Sequence, residues 1–291
     1  MSQVVLVQGR RLEPQDIDRI RQLIASHAGW TRRRLSQALC ERWDWRNGAG
    51  RLKDMATRSL LVKLQARGLI ELPEKRQVAS NRMRTRRVRL QHWDTTPLVG
   101  ALAEVEPLTV REVSTEGTAR EMFAAALAQF HYLGYRGSVG ENLQYAVTDA
   151  AGRLVACLLF GSAAWKCRAR DQFIGWSAEQ RSDGLHLLTN NTRFLILPWV
   201  RVPHLASWAL GRVLRRVSAD WVSKYGHPIA LVETFVEQQR FMGTSYRAAN
   251  WVRLGPTTGR SRQDRRRTLR VAVKDVYLYP LRRDFRTVLC P

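Results

Sequence analysis

The sequence predicts an α+β protein built in two parts, a helical module followed by a mixed α/β domain. Its 291 residues are enough for two separate hydrophobic cores. Apolar residues recur at helical spacing before residue 70, whereas two continuous apolar runs flank an amphipathic segment between residues 194 and 236. A stretch with Pro97, Gly100 and Pro107 separates the two patterns. We therefore expect domains over 1–92 and 108–291, joined by a linker over 93–107.

The central pattern of the second part is a strand, a helix and a strand. Residues 194–200 form an apolar run typical of a fully buried strand, and Pro203 favours a first helical turn. Apolar positions then repeat every three or four residues from Leu205 to Trp221, and residues 229–236 form a second buried strand. Parallel strands joined by a crossover helix are buried on both faces, which explains why neither run alternates with polar residues.

The first part is predicted to contain three short helices. The first covers residues 14–27, the second follows a cap at Thr31, and the third follows a cap at Asp54. The third helix has an inward-facing side made of Leu60, Leu61 and Leu64. Residues 75–89 then carry seven basic and no acidic side chains. This order is typical of a winged helix-turn-helix, with the third helix in the major groove and the basic hairpin along phosphates. The alternative is a packing unit with a solvated charge run.

Positive charge dominates the composition. The chain has 48 Lys and Arg against 25 Asp and Glu, a formal net charge of +23 and an isoelectric point near 11.2. A field of that sign concentrates polyanions, so DNA is the expected partner. No apolar run approaches the ~20 residues that span a bilayer and no signal peptide opens the chain, so we expect a cytoplasmic location without membrane contact.

A further basic segment, residues 259–270, has six arginines and one aspartate. It is either a solvated loop or an arm that holds nucleic acid, since arginine pairs phosphates bidentately. Such contacts make binding weaken steeply with salt. The residues predicted to bind nucleic acid are Arg58, Lys63, Arg82, Arg84, Arg86, Arg87, Arg89, Arg247, Arg260, Arg262, Arg265, Arg266 and Arg267.

The elements predicted around the strand–helix–strand unit define a candidate fold. A helix over 116–130 precedes a hairpin over 143–160, a strand over 170–176 comes before the central unit, and a last strand covers 271–281. This order resembles that of the GNAT acyltransferase fold. In that fold, a loop of the form R/Q-x-x-G-x-G/A binds the pyrophosphate of acetyl-CoA at a helix N-terminus. The matching stretch here makes Arg201, His204 and Ser207 the candidate cofactor-binding residues, although both glycines are missing.

Three residues are candidates for acid–base chemistry. Glu233 could relay a proton from an amine through water, Tyr246 could protonate a thiolate leaving group, and His131 lies where a helix ends. Glu233 with Asp171 is instead a candidate pair for Mg²⁺. The structural alternative is an ion pair, because a carboxylate in an apolar strand needs a partner. The partners considered for it are Arg193, Arg240 and Arg247.

The cysteines give no sign of a metal site or a disulfide framework. They are widely spaced, with no C-x-x-C pair and no histidine cluster nearby, so reduced thiols are expected. They are Cys40, Cys157, Cys167 and Cys290.

Several long blocks resemble a known family. These blocks are HYLGY (131–135), RDQFIGWS (170–177), NNTRFLILPWVRVPHLAS (190–207), VETF (232–235) and GTSYRAANWVRLGPTTGRSRQD (243–264). They are similar to the DruA family of Druantia anti-phage systems, whose domain also occurs beside or within transposase genes. The resemblance implies a role in phage defence or mobile elements, with other proteins of such a system as partners, but it supplies no catalytic residue.

Three functional hypotheses follow from the sequence. The first is a DNA-binding protein of a defence or mobile-element system, in which a winged helix docks duplex DNA and a GNAT-like domain contacts or modifies it. The second is an acyl-CoA-dependent N-acyltransferase. The third is a metal-dependent nuclease or transposition enzyme, for which the sequence offers only scattered acidic residues. The oligomeric state is left open.

Overall fold

A computed structural model of the chain describes residues 5–7, 10–46, 50–74, 87–259 and 271–291. The chain divides into two compact units, Met1–Asn81 and Arg82–Pro291, which we call the helical unit and the sheet unit. The division falls earlier than the boundaries expected at residues 92 and 108. No helix in the described ranges is both long enough and apolar enough to cross a bilayer.

The helical unit contains a short antiparallel hairpin and three helices. The hairpin strands are β1 (Val5–Val7) and β2 (Arg10–Leu12), and the helices are α1 (Pro14–Ser26), α2 (Arg32–Arg42) and α3 (Asp54–Ala66). The three predicted helices are therefore confirmed. They enclose a core that includes Leu12, Ile17, Ile20, Leu35, Leu39, Leu60, Leu61 and Leu64.

The ends of these helices agree with the sequence in one case and differ in another. The Thr31 hydroxyl accepts a hydrogen bond from the Arg34 backbone N–H at 3.2 Å and caps α2 as predicted. The predicted cap at Asp54 is wrong, because Lys53 occupies the cap position and Asp54 is the first helical residue. The predicted wing over 75–89 lies almost entirely outside the described residues, and the described chain over 69–74 forms no strand.

Residues 93–107, expected to be a linker, belong to the sheet unit. They form β3 (Leu98–Val99) and α4 (Leu102–Val105), and β3 pairs in parallel with β8 (Val200–Arg201). Trp93 packs against the core of the sheet unit and lies 6.2 Å from Trp199 between ring centroids. Proline and glycine in this stretch predict a linker, but Leu98, Leu102 and Val105 are partly buried against the core of the sheet unit.

Within the described residues, the main sheet of the sheet unit has seven strands. Their order across the sheet is β10-β11-β9-β7-β6-β5-β4, and β7 with β9 is the parallel pair among these described strands. The strands are β4 (Thr109–Glu112), β5 (Leu143–Thr148), β6 (Leu154–Ser162), β7 (Leu188–Ile196), β9 (Leu231–Glu237), β10 (Val252–Pro256) and β11 (Lys274–Pro280). The predicted hairpin is confirmed. The strand predicted over 194–200 overlaps β7 only at 194–196, and β7 pairs in parallel with β9 through Leu188–Asn190, which lie before the predicted strand.

Helices and a short 3₁₀ turn, Leu185–Leu187, connect these strands. The helices are α5 (Gly117–Phe130), α6 (Arg168–Ile174), α7 (Ala178–Gly184), α8 (Leu205–Leu214), α9 (Val217–Tyr225), α10 (Thr244–Ala248) and α11 (Phe285–Leu289). The strand predicted over 170–176 is wrong, since this stretch is mostly α6, which ends at Gly175 in the left-handed conformation. The crossover predicted as one helix is two helices, α8 and α9.

Two irregularities in the sheet create an opening between its parallel strands. Pairing of β7 with β9 covers only Leu188–Asn190 against Leu231–Glu233, although both strands continue beyond it. The register of β6 and β7 also shifts, because Leu159 pairs with Arg193 while Phe160 pairs with Asn191. Thr192 is therefore an extra residue on β7, and such a bulge bends the strand. The two strands separate where the bulge lies.

The core of the sheet unit lies on both faces of the sheet. Trp221 and Val217 of α9 and Leu210 of α8 are buried in it, as are most residues of β5 and β6. Burial on both faces is expected for strands covered by crossover helices, which is why these strands read as continuous apolar runs. No disulfide joins cysteines within the described residues.

Candidate functional site

A cavity of about 490 Å³ opens where β7 and β9 separate. Its wall comes from β7, β9, the segment after α5 and the segment that leads into α10. Its polar lining residues are His131, Asn190, Asn191, Thr192, Arg193, Thr234, Thr244, Ser245, Tyr246 and Lys274. The carboxyl ends of parallel strands are the usual ligand-binding edge of α/β sheets, so this is the candidate site.

Tyr246 is fixed in the wall of this cavity by hydrogen bonds. Its hydroxyl donates to Asn191 Oδ1 at 2.7 Å and lies 3.5 Å from the Thr234 hydroxyl, which donates to the Asn191 backbone carbonyl at 2.9 Å. The Asn191 amide nitrogen in turn donates to the Leu159 and Arg193 carbonyls. Burial raises the pKa of Tyr246, so the phenol stays protonated and can act as a hydrogen-bond donor or a weak acid.

His131 lines the same cavity as a neutral imidazole. Burial, together with the positive charge of Arg193, lowers the pKa of His131 to about 4. Its Nδ1 accepts a hydrogen bond from the Leu133 backbone N–H at 3.2 Å, so the ring proton is on Nε2. A neutral imidazole with a fixed tautomer presents one N–H donor.

Arg193 brings a positive charge into the cavity wall. Its guanidinium donates to the Gly134 carbonyl at 3.1 Å and to the Thr192 carbonyl at 2.7 Å. No ion pair with a carboxylate is formed by Arg193 within the described residues, and burial lowers the pKa of its guanidinium. A half-buried cation with only carbonyl partners favours an anionic ligand nearby.

Asn190 lines the cavity next to these groups. Its Oδ1 is buried and has no hydrogen-bond partner within the described structure. A buried acceptor without a donor costs free energy, and such groups in native proteins commonly mark a ligand or a water site. The cavity thus offers an unused acceptor as well as donors.

Glu233, a candidate for acid–base chemistry, does not line the cavity. Its side chain is fully buried, and its Oε2 accepts from Arg170 Nη1 at 2.8 Å while Oε1 accepts from the Ala164 backbone N–H at 2.6 Å. The partner is therefore Arg170, not Arg193, Arg240 or Arg247. Burial raises the pKa of Glu233, and the Arg170 charge opposes that shift. The structural alternative, an ion pair, is the one observed.

The two carboxylates considered as ligands for Mg²⁺ both bind the guanidinium of this ion pair. Arg170 donates to Asp171 Oδ1 through Nε and Nη2, at 2.9 and 2.8 Å, as well as to Glu233. Trp176 Nε1 donates to the same Asp171 oxygen at 3.0 Å. A guanidinium that already neutralises both carboxylates does not fit a cation site between them. Within the described ranges no cluster of three or more His, Cys, Asp or Glu side chains could hold a metal ion.

The residues predicted to hold acetyl-CoA lie beside the cavity and not in its wall. Arg201 and His204 are exposed, and the Ser207 hydroxyl donates to the His204 carbonyl at 3.0 Å. The neighbouring Ala206, in the first turn of α8, does line the cavity. Backbone N–H groups of a first helical turn have no partner within the helix, so this turn can still meet an anion.

The residues predicted to bind nucleic acid divide into three sets. Arg58 is paired with Asp54 at 2.9 Å on α3. An exposed set without an ion pair among the described residues consists of Lys63, Arg87, Arg89 and Arg247. The set outside the described residues consists of Arg82, Arg84, Arg86, Arg260, Arg262, Arg265, Arg266 and Arg267.

Asn191, Thr234 and Arg193 line the cavity, but the sequence predicted no chemical role for them. Each belongs to a sequence block of the family resemblance, NNTR or VETF. The signal that could have identified them is a polar residue within an otherwise apolar strand. What the sequence could not show is that these blocks meet the segments around His131 and Tyr246.

The fold and the site together define a mixed α/β protein with a ligand-sized polar cavity between diverging parallel strands. The sequence model described as Druantia protein DruA matches residues 63–270, which is more than half of the chain. The chain therefore belongs to the DruA family. A comparison with curated proteins gives no significant match.

Solved structures give a coarser likeness. A putative acetyltransferase from Acinetobacter baylyi has a TM-score of 0.40 at 8% identity, covering 60% of this chain and 91% of that one. The spermidine N-acetyltransferase from Vibrio cholerae, in complex with CoA and spermine, has a TM-score of 0.38 at 11% identity, with 59% and 92% covered. A putative acyl-CoA N-acyltransferase from Klebsiella pneumoniae has a TM-score of 0.38 at 11% identity, with 60% and 99% covered. Scores this low do not assign an activity.

Proposed function

We propose that the chain is a DNA-binding protein of an anti-phage defence or mobile-element system. In this proposal the helical unit is a winged helix-turn-helix that holds duplex DNA, and the sheet unit contacts or acts on it. The observation that carries the proposal is the net charge of +23, because a surplus of that size attracts a polyanion. Exposed cations such as Lys63, Arg87 and Arg247, which have no acidic partner among the described residues, support it.

We further propose that the sheet unit is GNAT-like. Except for the stretch 170–176, which is mostly helix α6 and not a strand, its elements follow the predicted order: helix α5, hairpin β5–β6, strand β7, crossover helices, strand β9 and last strand β11. The opening between β7 and β9, with a bulge at Thr192, gives the unit a place for a ligand. Function depends on the groups in that opening and not on the fold, so the fold alone does not decide between contact and catalysis.

The salt dependence of DNA binding tests the first proposal. We expect log K for a random duplex to fall linearly with log salt, with a slope of about −0.9 per phosphate contacted. Replacing Arg84, Arg86 and Arg87 by alanine should flatten the slope by about 2.7 if each contacts one phosphate, and should weaken binding on every sequence. Fluorescence anisotropy at about 50 to 300 mM salt measures both the affinity and the slope.

A matched control removes the same number of arginines as this variant. Arg19, Arg111 and Arg282 are paired with Asp16, Glu116 and Asp284, so their replacement by alanine removes the same formal charge from sites already neutralised. The control should retain most of the wild-type slope. An unchanged slope in the Arg84, Arg86 and Arg87 variant would refute the assignment of residues 75–89 as a DNA-binding wing.

Acyl transfer from acyl-CoA is a second candidate, favoured by one observation. The cavity reaches the first turn of α8 at Ala206, where backbone N–H groups without helical partners could meet a phosphate. If this candidate is correct, titration calorimetry with acetyl-CoA should give binding that Ala206→Asp abolishes, because a carboxylate there repels the anion. Calorimetry without heat at millimolar acetyl-CoA would remove this candidate.

A further inference from the structure

The entrance of the cavity carries aromatic and apolar side chains that are exposed. Tyr132 is 37% exposed, Phe241 48% and Met242 81%, and all three line the cavity. Tyr132 and Phe241 meet edge to face with their ring centroids 5.2 Å apart, and His131 stacks on Tyr132 at 4.9 Å. Exposed, mutually fixed aromatic rings at the mouth of a cavity provide a stacking surface for a planar ligand.

Positive charge surrounds this aromatic entrance. The Arg240 guanidinium lies 5.1 Å from the centroid of the Tyr132 ring, Arg193 and Lys274 line the cavity, and Arg247 is exposed on α10. Within the described residues only Arg240 of these four has an acidic partner, Glu237 at 3.2 Å. A cationic rim around aromatic rings is the arrangement that single-stranded nucleic acid prefers, because phosphates meet the cations while bases stack.

The interior of the cavity offers groups that read a base edge. Asn190 Oδ1 is a buried acceptor without a partner, and the neutral His131 presents an N–H donor at Nε2. A nucleobase carries donors and acceptors on one edge of a planar ring, and asparagine is a common partner for such an edge. The volume of about 490 Å³ lies within the range of small-ligand pockets, and a single base with its sugar fits that range.

From these observations we propose that the cavity receives one unpaired nucleobase of bound DNA. The base stacks on Phe241 and meets the tilted Tyr132 ring edge to face, Asn190 and His131 contact its edge, and Arg193 and Lys274 attract the adjoining phosphate. The inference rests on the proposed DNA binding and adds the substrate class of the cavity. A base in a duplex reaches such a pocket only by leaving the stack, at a cost of a few kcal/mol that is lowest where it is already unpaired.

The test measures binding of the full chain to two DNA duplexes of equal length that differ at one position. One is fully paired, and the other has a single unpaired 2-aminopurine whose fluorescence reports stacking on an aromatic ring. We expect the unpaired-base duplex to bind about 5- to 150-fold more tightly, the range that base–aromatic stacking supplies. In a Tyr132→Ala and Phe241→Ala double variant this preference should disappear, while affinity for the paired duplex stays unchanged.

Trp165→Ala is the matched control. Trp165 is 42% exposed but does not line the cavity, so its removal should keep the preference for the unpaired base. A second variant, Asn190→Asp, should lower the preference by adding a negative charge without removing an aromatic ring. Free 2-aminopurine deoxynucleoside monophosphate distinguishes a base of bound DNA from a free nucleotide as the ligand. If this nucleotide displaces the duplex at micromolar concentration, the site binds free nucleotides and the DNA-base proposal is overturned.

The remaining outcomes are distinct. Equal binding of both duplexes by the wild type, or loss of the preference in Trp165→Ala as well, would overturn the inference while leaving DNA binding intact. Absence of binding to either duplex would instead remove the proposed function on which the inference rests. Displacement of the unpaired base by acetyl-CoA would overturn the inference in favour of the acyl-transfer candidate.

Discussion

Replacing Arg170 by methionine is expected to destabilise the sheet unit by about 3–5 kcal/mol, which is the cost of removing one partner from a buried ion pair. Arg170 and Glu233 are both fully buried, and their side chains are joined at 2.8 Å. Methionine is unbranched and apolar but shorter than arginine and uncharged, so among the described residues the Glu233 carboxylate would keep only the Ala164 N–H as a partner. Urea unfolding of the full chain, followed in the transition of the sheet unit, measures this loss.

The loss should depend on pH, and its sign follows from Glu233. Burial raises the pKa of Glu233 above its ordinary value of 4.5, and Arg170 opposes the shift, so the variant raises it further. Between pH 4.5 and the pKa of the folded state, folded protein keeps a proton on Glu233 that the unfolded chain has released. The free energy of unfolding therefore falls as pH rises through this window. The difference from wild type should therefore be largest at neutral pH and shrink towards pH 4.5.

Two further variants make the result specific. Arg253 pairs with Asp275 at 2.8 Å on the surface, where solvent screens the pair, so Arg253→Met should cost far less than Arg170→Met. Combining Arg170→Met with Glu233→Met removes both buried charges and should restore much of the stability, because apolar groups of similar size replace such pairs at little cost. A loss in Arg170→Met that is independent of pH, or that the double variant does not reduce, would contradict the account given for Glu233.

Local sequence patterns predict much of the fold. Leu60, Leu61 and Leu64 recur at helical spacing and are buried in α3, because a helix with one apolar side must cover it. The first apolar run supplies only the end of β7, whereas most of the second run forms β9, and these two strands pair in parallel as expected of a strand–helix–strand unit. These features depend on spacing within one segment, which a single sequence contains.

Features that depend on distant contacts are not predictable in this way. The sequence predicts a strand over 170–176, whereas this stretch is mostly α6 and its Arg170 is buried against Glu233. These two residues are 63 positions apart. The polar cavity likewise joins six segments of the chain, and the bulge at Thr192 that opens it has no local signal. The need for a buried partner for Glu233 was visible, but its identity was not.

Gly243 is a position where the site itself restricts the sequence. It lies in the cavity wall with a φ of +68°, a left-handed conformation that residues with a Cβ rarely adopt. A Cβ built there would lie 2.3 Å from Tyr277 Oη and 2.6 Å from Cζ of the same ring. Tyr277 is buried and stacks on Tyr246 with ring centroids 5.8 Å apart, so it has little room to move.

Gly243→Ala is therefore expected to cost about 2–5 kcal/mol of unfolding free energy, the sum of left-handed strain and overpacking. Gly226→Ala is the control, because Gly226 has a φ of +79° but nothing within 4 Å of its added Cβ, so it should show only the strain of about 1–2 kcal/mol. Adding Tyr277→Phe to Gly243→Ala removes the nearest atom and should recover part of the loss, which a double-mutant cycle from urea unfolding measures. Equal losses in the two alanine variants, with no coupling to position 277, would show that the close contact between Gly243 and Tyr277 does not shape this wall of the cavity.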